Sequence, residues 1–422
     1  MSRYRLFPTS RQEKVLLSHC AHARYVWNLA VEQHGFWSRS RGRAPGYNEQ
    51  SRQLTEARAE FDWLRAGSQT VQQQALRDYA QAMTNFFAGT HRRPSWRKRG
   101  VHEGFRQVGV KPRQVTRLSR KWCAVLVPKC GWVRFRLSRP VPSGAKSYRV
   151  TRDRAGRWHV AFVKVPSPLP GPGNGTVVGV DRGIAVSAAL STGALLHLPG
   201  LTSGGKRRLR LLTRRLGRAK RGSGRRTALK NALARLKARE ADRRRNWVEQ
   251  TSTHIARSFE VIGVEDLDIR SMTRSAKGTT ARPGRGIAAK SGLNRGILAA
   301  GWGGLVQRLE HKAPGRVYKI NPAYTSQRCS ACGIRDRKAR ESQARFRCRS
   351  CGIASNADVN AARNIARQAR LAWTAAGPAV AARGRSGTPG RTNREPQPVL
   401  PPGGTGRNPL VVPGGGGQRA TR

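Results

Sequence analysis

Acidic residues are scarce in this chain: 22 Asp plus Glu stand against 82 Lys plus Arg in 422 residues, a formal charge of +60. Such a polypeptide repels itself unless a polyanion is bound. Phosphates neutralised by Lys and Arg release counterions and bind strongly, so the expected partner is nucleic acid. Long apolar runs are missing as well. No stretch of 18 apolar residues occurs, and the opening "MSRYRLFPTS" lacks the apolar core of a signal peptide, so a cytoplasmic protein with no membrane partner is expected. Cysteine is limited to seven residues, expected as thiols or metal ligands rather than disulfides. Histones and ribosomal proteins carry similar charge, but this length with ten Trp would be unusual for them. At 37% hydrophobic, the chain can bury two or three domain cores.

A strand over Arg3 to Phe7 opens the chain, followed by a helix after Pro8 that Thr9 or Ser10 can cap with Gln12 or Glu13. Leu17, Ala21, Tyr25 and Leu29 recur at helical spacing and predict its buried face. A second helical block spans Val71 to Phe87, completing a mostly helical lobe. After "RRPSWRKRG" the texture turns to strands from about Val108 to Val165, a small barrel or sandwich with a hairpin turn at Ala155 and Gly156. Cys123 and Cys130 fall inside it without a CxxC partner and read as packing residues. "PSPLPGPGNG" marks a domain boundary. Beyond it lie a buried strand, "TVVGV", and a basic helical segment from about Lys206 to Phe259, broken at "RGSGRR". With almost no acids to pair with it, that segment is expected to contact phosphates. Thr273 to Gly296 reads as a mobile Gly-rich loop, Trp302 to Lys312 as a helix, and "GRVYKIN" as a strand. The tail, Gly, Pro and Arg with one acid, Glu395, is expected to be disordered.

Two motifs carry chemistry. "CSAC" (Cys329 to Cys332) and "CRSC" (Cys348 to Cys351) are two CxxC pairs 15 residues apart, which can offer four thiolates to one Zn2+. Four thiolates close the coordination sphere, so the zinc is structural. The second motif gathers the rare acids. Asp181 ends the strand "TVVGV", Glu265 ends "EVIGV", and Asp358 precedes a helical run. Singly they read as a turn residue, a strand-edge acid and a helix N-cap. Converging from two strands and a helix, they could hold two Mg2+ ions that clamp the attacking and leaving oxygens of a phosphodiester. That points to a nuclease.

These residues resemble the TnpB family, transposon-encoded relatives of the type V CRISPR nucleases. The matching stretches are "YRLFPTSRQ", "ARYVWNLAV", "PSWRKRG" with Phe105, "GVDRGI", "VEDLDIRSM", "YTSQRCSACG" and "NADVNAARNIA", in the family's order from Tyr4 to about Gln368. The resemblance implies an α/β multidomain protein with an RNase H-like RuvC nuclease core. A zinc-ribbon-like insertion interrupts that core, and a β-barrel wedge domain with a helical recognition lobe precedes it. The implied boundaries are a wedge over 1–8 and 108–170, a recognition lobe over 9–107, nuclease core over 176–324 and 354–372, the zinc-binding insertion over 325–353 and a basic tail over 373–422. Asp181, Glu265 and Asp358 are the implied Mg2+ ligands and catalytic residues; Cys329, Cys332, Cys348 and Cys351 are the implied zinc ligands. Asp266 and Asp268 do not match a ligand role and are expected to shape the strand end.

The implied activity is an RNA-guided DNA endonuclease acting as a prokaryotic, nucleoid-associated monomer. Its partners are a guide RNA from the transposon end and target double-stranded DNA beside a short motif. Base pairing then reads sequence while the protein holds the hybrid by shape and backbone. Two alternatives share the lineage, a nuclease-inactive RNA-guided DNA-binding repressor and a small type V CRISPR effector. A transposase that itself moves DNA is a third.

Overall fold

The computed structural model describes residues 2–38, 40, 42 and 44–377. Its first half is built on strand β1 (Ser2–Phe7) and helices α1 (Ser10–Gly35), α2 (Tyr47–Glu60), α3 (Asp62–Arg65) and α4 (Gln69–Phe87). Thr9 caps α1: its hydroxyl accepts from Gln12 N at 3.3 Å, and the Gln12 side chain accepts from Thr9 N at 3.0 Å. Strands β2 (Glu103–Val108), β3 (Val115–Arg117), β4 (Trp122–Val127), β5 (Gly131–Arg136), β6 (Ser147–Arg152) and β7 (Trp158–Val163) join β1 in one antiparallel sheet, ordered β2-β6-β7-β1-β5-β4-β3. Residues alternate across it, with Val133 and Phe135 inward and Arg134 and Arg136 outward on β5. The inward rings of Tyr4, Phe135, Tyr148 and Phe162 meet in one cluster. Tyr148 spans the interior to donate to the Leu126 carbonyl at 3.0 Å. Among the described residues no ladder joins β2 to β3, so the sheet curls around its core without hydrogen-bonded closure.

Two expectations change here. The strand region begins at Glu103 rather than Val108, because "EGFRQV" pairs along its whole length with β6 and buries Phe105. The buried face of α1 carries Leu16, Cys20, Ala23, Val26, Trp27 and Ala30; of the expected stripe, Leu17 packs on the core from its edge and Leu29 is half-buried, while Ala21 and Tyr25 are exposed. Helix α1 packs against both α4 and β2, and those neighbours rather than the apolar count decide which face is covered.

The second half is a three-layer α/β/α unit. Strands β8 (Val177–Asp181), β9 (Ala188–Leu190), β10 (Leu195–Leu196), β11 (Val261–Glu265) and β12 (Val317–Ile320) form a mixed sheet ordered β10-β9-β8-β11-β12, with β8, β11 and β12 parallel. Helices α5 (Ser203–Arg218) and α6 (Gly224–Ser258) form a basic hairpin, turned at 219–223, with Leu212 buried between them. Arg157 ties the first sheet to α6 through Asp242 at 2.6 Å. Short α7 (Ile269–Met272), α8 (Ile287–Ala300) and α9 (Trp302–Lys312) follow β11. The expected loop over Thr273 to Gly296 is therefore helical from Ile287. Ile297 and Ala300 anchor that helix beside Trp302, which outweighs the helix-weakening Gly292 and Gly296.

A small hairpin of β13 (Arg345–Arg347) and β14 (Ala354–Asn356) precedes the last helix, α10 (Ala357–Ala375). On β8 and β11, Val178, Val180, Ile262 and Val264 face α6 and α9. The alternate positions, Val177, Gly179, Val261 and Gly263, face α10. Helix α10 runs past the expected boundary at 372, because Trp373 packs on this face with Val261 and Ile365. The rest of the expected tail, 378–422, lies outside the described residues. No described helix is long and apolar enough to cross a membrane.

Candidate active site and metal centre

Asp181 and Glu265 end adjacent parallel strands whose register pairs Val180 with Val264 one residue earlier. By strand alternation both carboxylates share the α10 side with Gly179 and Gly263. Those glycines position the third acid. A Cβ on Gly179 would stand 1.9 Å from the Ala362 carbonyl oxygen, so only a bare backbone lets α10 settle onto the sheet. The helix starts at the carboxyl ends of the strands. Its N-cap is Asn356, whose Oδ1 accepts from the backbone N–H of Asp358 at 3.0 Å and of Val359 at 3.1 Å. The expectation that Asp358 itself could be the cap is thus overturned, and its carboxylate is free to face the other acids.

Each acid has a distinct environment. Burial first, then the charges of Glu265 and Asp358, push Asp181 up to about 7. Burial also raises Asp358, opposed by Arg340, whose Nη2 lies 3.2 Å from Asp358 Oδ1. Glu265 accepts a hydrogen bond from the Thr325 hydroxyl at 2.6 Å. Thr325 follows Tyr324, a non-glycine residue at φ +64°, a conformation that costs about 1–3 kcal/mol. Asn364 helps hold this turn by donating to the Thr325 carbonyl at 2.9 Å and the Arg328 carbonyl at 2.7 Å. Arg182 is buried behind the site and donates to the Glu265 carbonyl. Asp268 serves elsewhere, capping α7 by accepting from Ser271 N at 3.0 Å.

The four cysteines form the second centre. Cys329 and Cys351 Sγ are 3.7 Å apart, Cys332 and Cys348 Sγ 3.6 Å, and all four lie within 4.8 Å of one another. A disulfide needs about 2.05 Å; four sulfurs around one Zn2+ at about 2.3 Å stand roughly 3.8 Å apart. Donor type and spacing therefore fit a structural zinc. Each CxxC is followed by a glycine in the left-handed region, Gly333 (φ +80°) and Gly352 (φ +72°), which turns the chain back so that its N–H bonds the first cysteine's carbonyl. Among the described residues this is the one His, Cys, Asp and Glu group with all ligand atoms so close. The three carboxylates are spaced more widely.

The two centres are joined. Asn360 on α10 accepts from Ser330 N at 2.8 Å and donates to the Arg328 carbonyl at 2.8 Å, fixing the first knuckle to the helix that carries Asp358. Sequence reading missed Asn356, Asn360, Asn364, Thr325 and Arg340; the asparagines at four-residue spacing in "NADVNAARNIA" were the available signal. The loop between the two CxxC pairs, "GIRDRKARESQARFR", is rich in cations. Several are engaged internally, Arg340 with Asp358, Arg345 with Glu341 at 3.0 Å and Arg335 over the Tyr324 ring.

Family models match three parts of the chain: "Helix-turn-helix domain" over 2–37, "Probable transposase" over 160–276, and "Cas12f1-like, TNB domain" over 302–365. Over 406 residues the chain is 32% identical to an Escherichia coli (strain K12) protein named "Putative RNA-guided DNA endonuclease InsQ", covering 94% of this chain and 97% of that one. The chain belongs to the TnpB family. A second relative, from Streptomyces pristinaespiralis and also described as an RNA-guided DNA endonuclease of the "Putative" grade, is 30% identical over 94% of this chain and 95% of its own. A Cas12f1 endodeoxyribonuclease of Sulfoacidibacillus thermotolerans is 55% identical over 65 residues, 15% of each chain. Among solved structures, a Cas12f1-sgRNA-target DNA complex aligns with a TM-score of 0.48 at 14% identity, over 84% of this chain and 81% of that one.

Proposed function

We propose that this protein is an RNA-guided DNA endonuclease of the TnpB type, cutting DNA by metal-dependent hydrolysis in a RuvC-like site. The observation that carries the reading is the meeting of Asp181, Glu265 and Asp358 at one sheet end in a chain of charge +60. In this reading the first sheet is the wedge and the helices packed on it form the recognition lobe. The mixed sheet is the nuclease core, and the cysteine centre belongs to an insertion that engages target nucleic acid. The partners are a guide RNA from the transposon end and target double-stranded DNA beside a short motif.

The donor set suits hard dications. It is all carboxylate, with the Thr325 hydroxyl behind it and neither thiol nor imidazole among the three ligands. Burial is the larger cause of the raised Asp181, and the repulsion from Glu265 and Asp358 that adds to it is what a dication would relieve. Two Mg2+ ions bound there would supply an acidified water and charge stabilisation on both oxygens of an in-line displacement. The chain's own residues do the rest. Rigid strands hold Asp181 and Glu265, Thr325 fixes the orientation of Glu265, and Arg340 brings a guanidinium to the edge where phosphate would approach. No side chain serves as a covalent nucleophile.

The test is to purify the protein from cells co-expressing its native downstream flank, sequence the RNA that comes with it, and supply Mg2+ with matching DNA beside randomised flanks. A discrete RNA with cutting beside one enriched motif is expected. A discrete RNA with binding but no cutting would contradict the nuclease reading and favour the repressor.

A further inference from the structure

Three positions of the expected α1 stripe, Ala21, Tyr25 and Leu29, line a groove of about 430 Å3 beside the first core. Trp63 of α3 and Trp96 line it with them. The rings are large and half-exposed: Tyr25 is 45%, Trp63 48% and Trp96 51% accessible. They are also held in place. Trp63 stacks on His22 with centroids 5.6 Å apart and meets Tyr25 edge-on at 4.8 Å. The segment bearing Trp96 is pinned along α1. Asn28 accepts from Arg97 N at 2.7 Å and donates to its carbonyl at 3.1 Å, and Trp27 Nε1 donates to the Ser95 carbonyl at 2.9 Å.

Charge identifies the occupant. The segment "RRPSWRKRG" surrounds Trp96 with cations and has no acid, and Lys98 and Arg99 are exposed beside it. Fixed aromatic faces next to backbone-binding cations make a platform for stacking bases of a single strand. Glu32, exposed in the same groove, has no Lys or Arg partner among the described residues, and a carboxylate accepts from a base edge that carries an amino group. Duplex DNA keeps its bases stacked and paired until a guide displaces one strand, whereas structured RNA presents unstacked loop bases before any target is bound. We infer that this groove binds one unpaired, amino-bearing nucleobase of the guide RNA, an inference that rests on the RNA-guided reading above.

The experiment uses the full chain purified with its RNA, zero-length ultraviolet crosslinking, and mass spectrometry of the crosslinked peptide, alongside Trp96→Leu, Trp63→Leu and Glu32→Gln. The wild type should crosslink a single nucleotide to a peptide holding Tyr25, Trp63 or Trp96. Each Trp variant should lose that crosslink and bind the RNA about 5- to 150-fold more weakly, the size of one lost stack. The salt dependence of binding should stay unchanged, because no phosphate contact is removed. Glu32→Gln, which removes no packing, should reduce discrimination against RNA carrying uracil at the crosslinked position. Unchanged RNA affinity in both Trp variants, with crosslinks elsewhere, would overturn the groove and leave the RNA-guided reading standing. Light scattering that finds wild-type dimers and monomeric Trp96→Leu would assign the groove to a second copy, also overturning the inference. A wild type that carries no discrete RNA would overturn both readings.

Discussion

Gly179 and Gly263 are register partners on adjacent parallel strands, and the backbone of α10 rests on both. Their missing side chains bring Asp358 down to the strand ends where Asp181 and Glu265 lie. Gly179→Ala puts a Cβ 1.9 Å from the Ala362 carbonyl, so the helix must lift. The expected cost is about 1–3 kcal/mol, read as a lower denaturant midpoint. DNA cutting should be lost well before RNA binding weakens. A variant as stable and active as wild type would mean that the helix seat does not position the site.

Thr325→Val removes the hydroxyl that donates to Glu265 at 2.6 Å and keeps the backbone carbonyl that Asn364 uses. Groups that orient a metal ligand typically contribute about 10- to 100-fold to metal affinity or activity. Titrating cutting rate against Mg2+ should show a shift of that order toward higher concentration, with the melting temperature little changed.

The pH dependence has a definite sign. Asp181 holds its proton up to about 7 in the folded protein, while an unfolded carboxylate releases it near about 3.9. The folded state therefore binds more protons across that window. This contribution to stability is full below the unfolded value and is lost as pH rises through the folded one. In chelator-treated protein, Asp181→Asn should melt above wild type beyond pH 7, and the two should converge near pH 4. Added Mg2+ should then raise the melting temperature of the wild type at neutral pH far more than that of the variant. Parallel curves at every pH would show that Asp181 is not the crowded acid.

One zinc per chain is expected by elemental analysis. Cys348→Ser should lower that content and the stability of the segment around β13 and β14, whose core contains Cys329, Phe346 and Cys348. Asn360 connects this segment to α10, so loss of zinc should also slow cutting. Unchanged zinc content in Cys348→Ser would remove the four-thiolate assignment.

Much of this was legible in the sequence where the signal is local. Local pattern identified β1 and β4 to β7 of the first sheet but not β2, the CxxC pairs marked the four-cysteine cluster, and "GVD" and "GVE" marked two strands ending in acids. What stayed hidden depends on partners distant in sequence. The buried face of α1 is chosen by α4 and β2, and α8 is held by Trp302 despite its glycines. Arg340 meets Asp358 only because the insertion folds back across the start of α10. The glycine seat was visible as letters, but its meaning required knowing that the two strands are neighbours and that a third element crosses them.

The most direct test compares wild type with Asp181→Ala, each loaded with the same guide RNA and given Mg2+ and matching double-stranded DNA. The wild type should cut, and the variant should bind RNA and DNA with unchanged affinity and leave the DNA intact. A variant that cuts at the wild-type rate would contradict the assignment of the three-acid site as the nuclease centre.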